Sequence, residues 1–112
     1  MTSPRLLQLQ QFLADSPDDS FILFAIAKEY EKLKQKELAL EQYLLLVDND
    51  PNYVGTYYHL GKLYEALEQF PTAFFTYKKG MIVAKAAGDQ HAFSELAGAK
   101  LNLGDDEDFE GE

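Results

Sequence analysis

The 112-residue sequence contains no cysteine and no tryptophan. Without cysteine there is no disulfide framework, no thiolate zinc site and no thiol nucleophile. That absence fits a reducing compartment, and a cytoplasmic location is expected. Positive charge is scarce: 10 Lys+Arg stand against 19 Asp+Glu, giving a net charge of −9 and a pI near 4.6. Such a balance disfavours attraction to phosphate backbones or anionic membrane surfaces, so neither nucleic acid nor membrane is an expected partner. Long apolar runs are missing as well. Nowhere do about 18 apolar residues follow one another, and Met1 to Gln10 lack a basic segment followed by an unbroken apolar stretch, so neither a membrane span nor a signal peptide is expected.

Reactive groups are equally thin. The two histidines, His59 and His91, lie about one repeat apart on different expected helices. No HExxH, glycine-rich phosphate loop, nucleophile elbow or calcium loop is found. Asp18, Asp19, Asp48 and Asp50 fall at expected helix ends, where aspartates cap free amides. No catalytic set, cofactor site or metal site is expected, and the chain reads as a non-enzyme.

What is present is an ordinary globular composition, 46% hydrophobic and 26% charged, sufficient for a single folded domain. It also carries an internal repeat. Shifting the chain by 34 residues brings Lys28, Tyr30, Glu31, Leu33, Gln35, Ala39 and Tyr43 onto Lys62, Tyr64, Glu65, Leu67, Gln69, Ala73 and Tyr77, and Pro17 onto Pro51. In the first unit Leu23, Ile26, Ala27, Tyr30 and Leu33, then Ala39, Tyr43 and Leu46, recur at helical spacing. Each unit is therefore two amphipathic helices joined by a short polar turn, Lys34-Gln35-Lys36 or Glu68-Gln69-Phe70, with Pro71 in a first turn where no amide is needed.

The 34-residue period, with Leu23-x2-Ile26-Ala27-x2-Tyr30, Ala39-x3-Tyr43 and Pro51, and with Tyr57-x2-Leu60-Gly61-x2-Tyr64 and Ala73-x3-Tyr77, resembles the tetratricopeptide repeat. Leu23 and Tyr57 replace that family's usual Trp, Tyr43 and Tyr77 its usual Phe, and Lys85 stands where the second closing Pro would fall. The last departure predicts a helix that runs on through Ala84, Ala86 and Ala87 until Gly88. Ala27 or Gly61 and Ala39 or Ala73 are the small residues that let paired axes approach.

Two repeats leave apolar faces at both ends, so the flanks read as caps. A first helix is predicted over about 4–14 and a last one over about 90–103, carried by Ala92, Phe93, Leu96, Ala97, Leu101 and Leu103. The expected fold is all-α: a short right-handed solenoid of antiparallel helix pairs, with repeats at about 20–53 and 54–87, making one domain over 1–103. Residues 104–112 are expected to be a disordered acidic tail, whose six carboxylates account for two thirds of the net charge.

The resemblance implies a non-catalytic protein-binding module that takes a peptide in a concave groove lined by the first helix of each repeat. On this chain that face would carry Phe21, Phe24, Lys28 and Glu31, then Tyr58, Lys62 and Glu65. Like follows like one period apart, as aromatic, basic and acidic rows, so an apolar side chain and a carboxylate would be held together. The other reading is that these aromatics pack against neighbouring helices and that the Lys-Glu pairs are a solvated face. The carboxylate clamp with which some family members grip chaperone tails is not matched, because its sites fall on Phe24, Lys28, His59, Asp89 and Phe93. A second surface competes: Leu44, Leu45 and Phe75 fall where the second helices are usually charged, which suggests a self-assembling subunit or homodimer. The acidic tail reads as a solubilising segment, with occupation of Lys28 and Lys62 by its carboxylates as the lesser alternative.

Overall fold

The computed structural model describes residues 2–109. These contain six α-helices and no strand, and the chain divides into two compact units at Tyr53/Val54, the boundary between the repeats. No helix among the described residues is long and apolar enough to cross a membrane.

The first unit holds α1 (Pro4–Asp15), α2 (Ser20–Lys32) and α3 (Lys36–Asn49), with α2 packed against both others. Ser3 starts α1 by accepting a hydrogen bond from the Leu6 amide at 3.0 Å, and Asp19 starts α2 by accepting from Ile22 at 3.1 Å. Leu6 and Leu9 bury against Ile26, with Leu13, Ile22, Ala25, Tyr30 and Leu33 half-buried around them. Each such leucine, fully buried, stabilises the fold by about 1.5–3 kcal/mol. Leu23, Ala27, Ala39, Tyr43 and Leu46 form the buried faces of α2 and α3. Asp50, just past α3, accepts a 2.6 Å bond from the Ser20 hydroxyl and ties the end of α3 to the start of α2.

The second unit holds α4 (Gly55–Ala66), α5 (Phe70–Ala87) and α6 (Gln90–Leu103), with α5 packed on both α4 and α6. Gly61 allows this close packing, since a Cβ there would lie 2.2 Å from the Tyr77 ring and force it to shift. The extended α5 runs through Ala87 and stops at Gly88, whose φ of 72° closes the helix in the left-handed region. Asp89 then caps α6 by accepting from Ala92 at 3.0 Å.

Three features lie beyond the sequence-based expectation. In α6 the buried side chains are Leu96 and Ala99, whereas Leu101 is 72% exposed. Leu96, Ala99 and Leu103 follow i, i+3, i+7, and a residue five after Leu96 points away from that stripe. Second, the turns inside both repeats place non-glycine residues at positive φ, Lys34 at 62° and Glu68 at 60°. There the amides of Gln35 and Gln69 donate back to the carbonyls of Tyr30 and Tyr64, each at 2.9 Å. Third, within the segment expected to be a disordered tail, residues 105–108 form a turn and Phe109 stacks on Phe74 at 4.3 Å. The segment's mutual repulsion is offset by backbone amides and by Lys78 and Lys100. The rest of the expected tail, 110–112, lies outside the described residues.

Candidate functional site

In the first unit, α2 brings Phe21, Phe24, Lys28 and Glu31 to one open pocket of about 630 Å³, which Arg5, Ala25, Glu29 and Lys32 complete. Helical spacing does this: residues three, four and seven apart share a face. Phe21 is 68% exposed at this pocket. Phe24 is half-buried, its ring edge-on to Tyr43 at 6.2 Å and tilted against Tyr53 at 5.8 Å. One face of Phe24 is thus structural while the side chain still lines the pocket.

Glu31 is held from the neighbouring helix. The Tyr43 hydroxyl donates to its Oε2, and the pair recurs in the second unit, where the Tyr77 hydroxyl donates to Glu65 Oε2. The two bonds are the same contact one repeat apart, linking the helices of each pair. Burial first, and then the facing carboxylate, push both phenols well above their ordinary range, so both stay protonated donors. The acidic row is therefore engaged within each repeat.

Arg5, Glu29 and Lys32 were not among the sequence candidates. Glu29 is only 5% exposed; its Oε2 accepts a 2.9 Å bond from Ser3 and its Oε1 lies 3.6 Å from Arg5 Nε. The signal for it is in the repeat itself, because Glu29 falls 34 residues before Leu63: a carboxylate stands where the other repeat has an apolar core residue. Arg5, on a helix outside the repeats, carries no periodic signal.

In the second unit, Tyr58, Lys62 and Glu65 are neighbours on α4. Lys62 Nζ lies 5.5 Å from the Tyr58 ring centroid and 3.8 Å from Glu65 Oε2, and Tyr58 also meets His59 at 5.6 Å and Tyr77 at 6.4 Å. Of the residues assigned to an oligomer face, Leu44 and Leu45 are 42% and 44% exposed on α3. Phe75 is half-buried, edge-on to Phe74 at 5.4 Å with Lys78 Nζ 5.9 Å from its ring. His91 is exposed and sits 3.6 Å from Glu95. No cluster of three or more His, Asp or Glu side chains suited to a metal ion is found among the described residues.

The acidic segment after α6 meets two lysines of its own unit. Asp106 lies 3.4 Å from Lys78 and 3.6 Å from Lys100. The Lys78 hydrogen bond, then Lys100, holds its carboxyl below the usual carboxylate range.

No protein-family model matches the sequence. A tetratricopeptide repeat domain protein from Salinibacter ruber, solved in solution, is 46% identical, with a TM-score of 0.76 over 79% of this chain and 89% of that one. A TPR repeat-containing protein of Pseudomonas aeruginosa is 28% identical over 88 residues, covering 79% of this chain and 84% of the relative. The TPR2B domain of yeast Sti1, in complex with pHsp70, shares the fold at a TM-score of 0.81 and 15% identity, over 88% of this chain and 78% of that one. Two helix pairs one 34-residue period apart, together with the closeness of the Salinibacter protein over nearly its whole length, place the chain in the tetratricopeptide repeat family.

Proposed function

We propose that the protein is a non-catalytic protein-interaction module that takes a peptide segment on the exposed face of α2. The observation that carries this reading is the α2 pocket: exposed Phe21 and half-buried Phe24 stand among Arg5, Lys28 and Lys32. An apolar side chain covering the rings removes their exposed surface from water, while a carboxylate on the same peptide meets the cations. Tyr58 and Lys62 repeat the aromatic–cation pair on α4 and are proposed as the second repeat's counterpart. That the Sti1 domain is found in complex with pHsp70 supports reading this fold as one that receives protein ligands.

The test is capture from lysate of the source organism, with the wild type beside Phe21→Ala/Lys28→Glu and Tyr58→Ala, each matched for helicity by circular dichroism. A protein retained by wild type and lost from the α2 variant supports the reading. Identical retention by both chains overturns the placement on α2.

A second reading rests on α3, where Leu38 and Leu45, two turns apart, are 40% and 44% exposed beside Leu44. Burial of that stripe against a second copy would make a homodimer. Light scattering decides: a monomeric mass at high concentration, unchanged by Leu45→Asp, removes it.

A further inference from the structure

The segment following α6 is a shaped ligand lying on a shaped seat. Asp105 Oδ1 accepts from the amides of Glu107 and Asp108 at 3.0 and 3.3 Å, and Asp108 Oδ2 accepts in return from the Asp105 amide at 2.9 Å. Gly104 admits this turn, because a Cβ there would stand 2.6 Å from Asp108 Oδ2 at a φ of 147°. Two of the acidic side chains are thus consumed in holding the turn. Asp106 and Phe109, three residues apart, reach the helices instead.

The seat complements them. Phe109 stacks on Phe74 of α5 with rings 25° from parallel, and Lys100 Nζ lies 4.7 Å from the Phe74 ring centroid. Lys78 and Lys100 both face Asp106. Beside them a pocket of about 320 Å³ is lined by Met81, Ile82, Lys85 and Phe93 together with those two lysines and Asp106. Ile82 is 68% exposed. The docked segment therefore meets the cations and one ring but leaves apolar surface next to it that a longer peptide would cover.

We infer that this α5/α6 seat is a second binding site, for an acidic segment of a partner protein carrying a carboxylate three residues ahead of an aromatic ring, and that residues 105–109 occupy it as an internal competitor. It shares no residue with the α2 site and stands or falls independently of it. Charge complementarity and the segment already seated identify the occupant. A short connection from α6 gives the internal segment an effective concentration of about millimolar, so a partner displaces it by also filling the Met81–Ile82–Phe93 pocket.

The experiment uses full-length, isotope-labelled chain and a separate peptide with the sequence of residues 103–109, capped at both ends. The peptide is titrated into wild type and into Asp106→Asn/Phe109→Ala, in which the seat is released, and amide shifts around Phe74, Lys78 and Lys100 are followed. The expected result is saturable binding to the released chain and about tenfold weaker binding to wild type. Binding is lost with a peptide whose phenylalanine is replaced by alanine, and in the released chain carrying Lys78→Ala/Lys100→Ala. No saturable shift in the released chain overturns the site, and equal affinity for both chains overturns the competitor. As a check that needs no release variant, sodium chloride added to wild type should shift the Lys78 and Lys100 amides, because the ion pairs are exposed and screened. Unchanged spectra across that titration count against the electrostatic half of the seat.

Discussion

Substituting Gly61 by alanine tests the packing of the second repeat most directly. A Cβ at Gly61 lies 2.2, 2.6 and 2.7 Å from three ring atoms of Tyr77, against an ordinary carbon–carbon separation of about 3.5–4.0 Å. The ring has to move by more than about 1 Å to restore that separation. It cannot do so freely, because Tyr77 is fully buried and its hydroxyl is bonded to Glu65. Overpacking costs about 1–3 kcal/mol, and disturbing a hydrogen bond to a carboxylate costs about 1.5–3 kcal/mol more. Alanine returns about 1 kcal/mol of helix propensity. The net loss is about 1.5–5 kcal/mol, a fall of at least about 6 °C in the melting midpoint. Gly98 is the internal control: it lies mid-helix in α6 with nothing within 4 Å of an added Cβ. Gly98→Ala should therefore stabilise by about 1 kcal/mol and raise the midpoint by about 4–8 °C. Thermal melts of the two variants by far-UV circular dichroism, read beside wild type, give opposite signs if the packing argument holds. The reasoning is refuted if Gly61→Ala melts at or above the wild-type temperature. A smaller partner should relieve the clash, so Gly61→Ala/Tyr77→Leu should be less destabilised than the two single changes combined by about 1 kcal/mol or more.

Three other outcomes follow from particular residues. Lys34 holds a φ of 62° with a side chain attached, so Lys34→Gly should raise the urea midpoint by the equivalent of about 1 kcal/mol at unchanged slope, whereas no gain would mean the turn carries no strain. Thr56 is fully buried on α4 and its hydroxyl oxygen has no hydrogen-bond partner among the described residues; Thr56→Val should be neutral or stabilising by up to about 1–3 kcal/mol, and a clear loss in chemical denaturation would show that the hydroxyl is satisfied. Tyr43 and Tyr77 have raised pKa values in the fold, while the unfolded chain releases phenol protons near pH of about 10. Their contribution is therefore whole below that pH and declines as pH rises beyond it, because the unfolded chain sheds protons the folded one keeps. Tyr43→Phe/Tyr77→Phe should lower stability at neutral pH and flatten the alkaline decline, though not abolish it, since Tyr53 and Tyr64 are raised as well; parallel alkaline profiles for wild type and the double variant would contradict this.

The helix pairs were legible because their signals are local and repeated. Pro4, Asp19, Pro71, Gly88 and Asp89 mark helix ends through capping and fixed or positive φ, and these depend on the residue and its immediate neighbours. The buried stripe of Leu23, Ile26, Ala27, Ala39, Tyr43 and Leu46 follows from the 3.6-residue period alone. That Phe21, Phe24, Lys28 and Glu31 meet at one pocket also follows from spacing on a single helix.

Contacts between elements were less accessible. The bond from Tyr43 to Glu31 joins two helices, and neither residue type announces its partner. Glu29 reads as a surface charge until the start of α1 brings Ser3 and Arg5 to it. The acidic segment reads as self-repelling because composition counts its charges without their surroundings. Sequence by itself determined the period, the caps and the side of each helix that turns inward, since these arise within a turn or two of chain. Only the tertiary structure decided that Phe109 finds Phe74 and that Asp106 finds Lys78 and Lys100, because Phe74 and Lys78 lie about 30 positions away and Lys100 is met only when the segment turns back along α6.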